Sequence, residues 1–392
     1  MNAAALVCCA GAATTATALG PLPTMTAEVE LLAADALIMA GTDMPVVDQA
    51  WIDMAVGSYI QPTLGGHYTG VPVDTPAQFW PFTGPEDMLF DTSVEGGTAA
   101  IRAAIDAETD QSGHSSPTVV FGYSQSAVIA TAAKRRLAES VSTETDAPAV
   151  SFVMLANLDR PNGGINARFA GAVIEELGWT FAPAAPTDTP FPTVDVARQY
   201  DLFADFPRYP LNVFALANAV VALFYGAHDY TEVTLDPTDP RYDPDTVVQQ
   251  WGDTTYYFIP TDTLPLLRPL RDLGADPVLL DAVEPALRVL VEAGYDRTTP
   301  FGQPAPAVET TPLADADELN RELADAIEQG RSILESAAPP AAEPSTAAAA
   351  PRSQRDVAES DRAEPVRAPR RAEQAPRTRP RSEPSAASRS GR

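Results

Sequence analysis

Thr118-Val119-Val120-Phe121-Gly122-Tyr123-Ser124-Gln125-Ser126-Ala127, continued by Val128-Ile129-Ala130-Thr131-Ala132-Ala133-Lys134-Arg135-Arg136-Leu137, is the stretch that decides the fold. Its β-branched start reads as a buried strand, and the Ala-rich run after it reads as a helix. Between them lies Gly-Tyr-Ser-Gln-Ser, with Ser124 at the apex. Strand, sharp turn and helix around a serine is the form of a nucleophile elbow. The turn strains the backbone of the serine, so the residues two before and two after it must be small. Gly122 and Ser126 satisfy that demand, with Ser126 standing where glycine is usual. A Gly-x-Ser-x-Ser string alone is common in ordinary loops. Its setting between a buried strand and a helix gives it weight.

Working outward, strand-type apolar runs recur at residues 36–39, 149–155, 191–200 and 251–259. Helical patterns occupy residues 93–107, 212–224, 277–293 and 315–336. This alternation predicts an α/β fold with a mainly parallel central sheet. Residues 50–96 are rich in Pro, Gly and aromatics and read as irregular surface chain shaping a cleft. The leucine-rich stretch 264–291 allows two readings, core packing or a lid-like insertion with an acyl-chain groove.

Formal net charge is −27, unevenly spread. Residues 351–392 hold 11 Arg against 6 acidic groups, which leaves 15 basic and 47 acidic groups on the other 350 residues. So acidic a body lacks the clustered Lys and Arg that phosphate contacts need, which excludes nucleic acid as an expected partner. The two cysteines, Cys8 and Cys9, are adjacent and make no disulfide framework. Residues 3–19 are small and apolar and end in Ala16-Thr17-Ala18, the form of a secretory leader, although no basic residue precedes them. The expected organisation is a leader at 1–19, a catalytic domain at 30–311, a terminal helix at 312–336 and a disordered Pro/Ala/Arg-rich tail at 337–392. The expected location is secreted or in the cell envelope; the basic tail allows two readings, a solvated tail, which ranks first, or a tether giving peripheral envelope association.

A serine nucleophile needs a base to accept its proton and an acid to orient that base. In α/β-hydrolases the chain order is serine, acid, histidine. Of His67, His114 and His228, only His228 follows Ser124. The acid must lie between them, just beyond a strand. Asp201 ranks first and Asp205 second, with Asp159 and Asp195 weaker candidates. The oxyanion donors expected are the backbone N–H of Gln125 and that of Thr42, next to the permissive Gly41. No His or Cys spacing suggests a metal site, and no Gly-rich phosphate loop is present, so no cofactor is expected.

With these pieces in place, the chain resembles the PE-PPE domain, a serine-hydrolase domain of actinobacterial cell-envelope proteins with a cutinase-like α/β-hydrolase fold. The resemblance runs through Ala36-Leu37-Ile38-Met39-Ala40-Gly41-Thr42, Thr75-Pro76-Ala77-Gln78-Phe79-Trp80-Pro81, Ser93-Val94-Glu95-Gly96-Gly97 and Gly122-Tyr123-Ser124-Gln125-Ser126. It continues through Arg160-Pro161-Asn162-Gly163-Gly164, Tyr200-Asp201, Ala204-Asp205-Phe206-Pro207, Tyr209-Pro210-Leu211-Asn212 and Gly294-Tyr295-Asp296-Arg297. In the family's pattern the nucleophile falls on Ser124, the Asp-rich segment on Asp201 and Asp205, and the late histidine on His228. The resemblance implies an α/β-hydrolase fold with lid-like insertions. It also implies a cofactor-free esterase or acyltransferase acting on fatty acyl esters, with envelope glycolipids as substrates or acceptors. No PE or PPE helical module is read in the sequence, so a stand-alone member is the expectation. Departures from the pattern are Asp43 after Gly41-Thr42, Leu202 after Asp201, Leu158-Asp159 in place of a Pro-Asn pair, and Asp229-Tyr230 after the histidine. The rival expectation is a non-catalytic envelope-binding protein on the same scaffold.

Overall fold

The computed structural model describes residues 34–112, 117–142, 147–308 and 316–338. The expected leader, the tail beyond residue 338, Cys8, Cys9 and His114 lie outside these residues. In chain order the elements begin with β1 (Ala34–Ile38), α1 (Gln49–Met54), a π-helical turn (Ala55–Ile60), α2 (Gln61–Leu64), β2 (Tyr68–Pro72) and α3 (Phe90–Ser112). Next come β3 (Thr118–Tyr123), α4 (Gln125–Ser140), β4 (Val150–Leu155), α5 (Ile165–Arg168), β5 (Val173–Ile174), β6 (Trp179–Thr180), β7 (Thr193–Arg198) and α6 (Val213–Phe224). The chain continues with β8 (Val247–Trp251), β9 (Thr254–Ile259), α7 (Arg268–Asp272), α8 (Pro277–Glu292) and α9 (Ala316–Ala337).

Seven strands form one sheet in the order β2-β1-β3-β4-β7-β9-β8. Every neighbouring pair is parallel except β8 against β9. A parallel sheet is covered on both faces, which is why β3 and β4 are almost continuously apolar. Alternate side chains go to opposite cores. Ile38, Val119, Phe121, Val153 and Leu155 join one core, and Leu37, Val120, Phe152 and Met154 join the other. The second core is closed by Ile101 and Ile105 of α3 and by Ala130, Ala133 and Leu137 of α4. This is the α/β-hydrolase arrangement, with β3 inside the sheet between β1 and β4 and its carboxyl end leading into the Ser124 turn.

Residues 50–96 differ from the surface chain expected. Their first part is helical through α1, the π turn and α2, and it covers the other face of the sheet with Trp51, Ile52, Ala55, Tyr59 and Ile60. The Asp48 carboxylate caps this helix by accepting from Trp51 N–H at 2.8 Å. A Cβ added at Gly70 of β2 would lie 2.2 Å from Ile52, so the edge strand and the helix approach closely. Glycine and β-branched residues mask this helix in the sequence; its apolar spacing at 51, 52, 55, 59 and 60 is the signal that was there. A second difference concerns residues 251–259. Trp251 ends β8, Gly252 (φ +56°) and Asp253 make the turn, and Thr254–Ile259 form β9; a Cβ on Gly252 would lie 1.8 Å from the Thr187 carbonyl oxygen.

The insertion between β4 and β7 holds α5 and the small β5–β6 ribbon. Trp179 and Phe181 fasten it to Phe79 and Phe90 through a cluster of rings. In the stretch 264–291, Leu264, Leu267, Leu280 and Val291 are buried, and Leu264 and Val291 join one core with α6. Packing thus accounts for its inward leucines. The terminal helix α9 lies on α8 so closely that a Cβ at Gly330 would meet the Ala282 carbonyl at 2.0 Å.

Candidate active site

Ser124 follows β3 directly and adopts φ 56°, ψ −118°. A non-glycine residue in that region carries strain of about 1–3 kcal/mol, and the surroundings must hold it there. Ser124 N–H donates to the Leu155 carbonyl (3.0 Å), while the Ser124 carbonyl accepts from Ala127 N–H (3.0 Å) to start α4. A Cβ at Gly122 would lie 2.3 Å from the Ser126 carbonyl oxygen, so only glycine fits there. Ser126 is more than a small residue. Its hydroxyl accepts from Tyr123 N–H at 2.8 Å and donates to the Tyr123 carbonyl at 3.0 Å, lacing the elbow shut.

Asp201 follows β7, and His228 follows α6. The topology brings both loops to the carboxyl end of β3. His228 Nε2 is 2.9 Å from Ser124 Oγ, and Nδ1 is 2.9 and 3.0 Å from the two oxygens of Asp201. Nδ1 faces an acceptor and therefore carries the ring proton, which leaves Nε2 to accept from the Ser124 hydroxyl. Asp201 is fully buried, and its Oδ1 also accepts from Phe203 N–H at 2.9 Å. The fold brings Ser124, His228 and Asp201 together, with His228 between the other two.

A family model described as the PE-PPE domain matches residues 67–296. The chain belongs to the PE-PPE domain family. The match leaves out β1 and the Gly41-Thr42 loop, which the fold nonetheless brings to the elbow. The esterase PE16 of Mycobacterium tuberculosis is 40% identical over 281 residues, covering 69% of this chain and 50% of that protein. The SL1278 acyltransferase Chp1 of the same organism is 32% identical over 262 residues, covering 64% of this chain and 60% of that protein. The chain spans about half the length of several curated relatives, at 50%, 46% and 54% of theirs. Among solved structures, a cutinase-like protein from Cryptococcus sp. is similar with a TM-score of 0.30 at 17% identity, over 44% of this chain and 79% of that one.

Within this PE-PPE domain the runner-up acid, Asp205, is engaged elsewhere. Its carboxylate accepts from Tyr200 N–H at 2.8 Å and pairs with Arg297 at 2.6 and 3.0 Å. Asp195 pairs with Arg160 and accepts from Asn157 at 3.0 Å. Asp159 is buried with Asn166 as its side-chain donor at 2.8 Å, and burial pushes its carboxyl up to about 7. None of these three is hydrogen-bonded to His228. His67 lies on the loop before β2, where its carbonyl accepts from Ala34 N–H at 3.1 Å.

The Gly41 loop meets the elbow. A Cβ on Gly41 would stand 2.9 Å from the Tyr123 ring and 3.5 Å from Ser124 Cβ. Asp43 is exposed, with φ 64°. Asp43 N–H donates to the Ala77 carbonyl at 2.8 Å, and Gln78 is tied in turn to Gln125, whose side-chain amide donates to the Gln78 carbonyl at 2.9 Å. Ser93 Oγ donates to Gln125 Oε1 and accepts from Gln78 N–H, both at 3.0 Å. Gln125 thus braces the loop with its side chain while its backbone opens α4.

Three residues escaped the sequence reading. Tyr123 donates its hydroxyl to the His228 carbonyl, and its ring lies 5.3 Å from the imidazole. Phe203 packs against the imidazole with ring centres 4.8 Å apart. Tyr230 is buried and hydrogen-bonded to Asp201. Their aromatic character and nearness in sequence to Ser124, Asp201 and His228 are the signal available beforehand.

Proposed function

We propose that this chain is a serine hydrolase of the PE-PPE family, acting as an esterase or acyltransferase on fatty acyl esters. The observation that carries the reading is the continuous contact from Ser124 Oγ through His228 to Asp201. In the proposed reaction His228 Nε2 takes the Ser124 proton as Oγ attacks the ester carbonyl. The N–H groups of Gln125 and Thr42 receive the developing oxyanion. Asp201 holds the tautomer and balances the imidazolium. His228 then returns the proton to the departing alkoxide, leaving an acyl-Ser124 enzyme. Water resolves that intermediate in an esterase, and a sugar hydroxyl resolves it in an acyltransferase, by the same proton path in reverse. The names of the relatives, an esterase and an acyltransferase, support both outcomes. Envelope glycolipids as substrate or acceptor, and an envelope or secreted location, belong to this proposal through the leader-like start and the basic end of the sequence.

Hydrolysis of p-nitrophenyl butyrate tests it. Ser124→Ala should lose at least about 10³-fold in kcat while keeping the wild-type melting temperature. A folded Ser124→Ala protein with wild-type turnover would remove Ser124 from the mechanism.

A further inference from the structure

Tyr230 lies two residues after His228 and is 1% exposed. Its hydroxyl has two partners at hydrogen-bond distance. Arg198 N–H, at the end of β7, lies 2.9 Å away, and Asp201 Oδ2 lies 2.9 Å away. A phenol has one proton and accepts through its lone pairs. Arg198 N–H can only donate, so it occupies a lone pair. The single phenolic proton therefore points at the Asp201 carboxylate. Burial beside that carboxylate pushes the phenol well above its ordinary range, so the proton stays in place across working pH.

Asp201 is consequently held by donors from three sides: Phe203 N–H and, at 3.5 Å, Ala204 N–H on Oδ1, the His228 ring on both oxygens, and Tyr230 on Oδ2. Phe203 N–H belongs to the same turn as the acid and comes with it. Tyr230 comes from the histidine loop. Its position is fixed independently, because its carbonyl accepts from Tyr59 at 2.5 Å. The Arg198 side chain adds to this by donating to the carbonyls of Gly226 (2.7 Å) and Asp229 on the same loop.

We infer that Tyr230 is a positioning residue for the triad, joining the acid loop to the histidine loop and sharing the Asp201 carboxylate with His228. The inference rests on the serine-hydrolase reading above. A donor on Oδ2 draws negative charge away from the oxygens that face the imidazole. Removing it leaves that charge on the Asp201 oxygens that face His228, which favours the protonated, inactive ring. The acid limb of the rate profile then moves to higher pH. A stronger donor at the same position does the opposite. The titratable and charged groups around this phenol are Asp201, His228, Tyr123, Tyr59 and Arg198, with Asp229 on the loop and Arg241 beyond Tyr59. The exchanges below alter none of these.

The test is the pH dependence of the second-order rate of labelling by a fluorophosphonate, read by intact mass. It needs only the nucleophile and its base, not a known substrate. Tyr230→Phe should shift the acid limb up by about one pH unit and slow labelling at pH 6 by about tenfold. Site-specific 3-fluorotyrosine at position 230 keeps the ring in place, lowers the phenol's own basicity, and should shift the limb downward. It also serves if Tyr230→Phe fails to fold. A limb that stays at its wild-type position in the folded proteins overturns the role of Tyr230 and leaves the triad reading intact. A folded wild-type protein that takes no label overturns both.

Discussion

Asp201 and Asp205 stand four residues apart on one turn, both buried, yet they face different partners. Asp201 meets an imidazole, the N–H groups of Phe203 and Ala204, the Tyr230 phenol and no guanidinium. Asp205 meets the Arg297 guanidinium and the Tyr200 N–H. Tyr200, with φ 69°, is the pivot that aims the chain out of β7 and into this turn. Asp205 grips that pivot and anchors it to the segment after α8. Asp201 N–H and carbonyl close the turn, and its side chain is left for His228. The lesson is that a carboxylate's role here follows from whether its partner is a fixed cation or a group that can change its charge.

The largest effect that can break this comparison is on turnover. Asp201→Asn presents an amide to His228 and permits the wrong tautomer. It should lower kcat by about 10³–10⁴-fold with little change in melting temperature. A small loss would move the acid role elsewhere. Asp205→Asn should act on stability. It leaves Arg297 with Glu292 alone, and a broken ion pair in a buried setting costs about 3–5 kcal/mol. Arg297 keeps 29% exposure, so about 2–3 kcal/mol is expected in urea unfolding. Activity per folded molecule should stay within about tenfold of wild type. An Asp205→Asn protein of normal stability and lost turnover would reverse the two roles.

Asp159 sharpens the comparison from a third side, since it is buried without a cation in hydrogen-bond contact. Its folded pKa is raised to about 7, so folding favours its protonated form. The resulting stability is complete below the ordinary carboxylate range and disappears as pH rises through about 7. Between pH 5 and 8 the wild-type protein should lose about 2–4 kcal/mol that Asp159→Asn does not lose, seen as a flatter dependence of the urea midpoint on pH. Equal slopes in the two proteins would contradict this.

The parts of this molecule legible in the sequence are those written locally. The elbow is contiguous, and the apolar runs of β3 and β4 announce a sheet buried on both faces. With one histidine after Ser124, chain order alone selects His228. What the sequence withholds depends on distant partners. Arg297 is 92 residues from the carboxylate it claims, so Asp205 could only be ranked and not dismissed. Residues 49–64 hid their helix because its stability comes from packing Trp51 and Tyr59 under the sheet and little from helix propensity. Ser126 looked like a tolerated substitute for glycine, and only the fold shows its hydroxyl bonded to both ends of Tyr123. Tyr230 stood out only as a departure after His228, and its bond to Asp201 shows only in the fold.

The central claim is that Ser124 is a nucleophile activated by His228 and oriented by Asp201. Its most direct test is to treat the folded protein with a fluorophosphonate and map the adduct by peptide mass spectrometry. The account predicts one adduct per chain, on Ser124, formed at least about a hundredfold more slowly in Asp201→Asn. An adduct on another residue, or a folded wild-type protein that forms none, would contradict it.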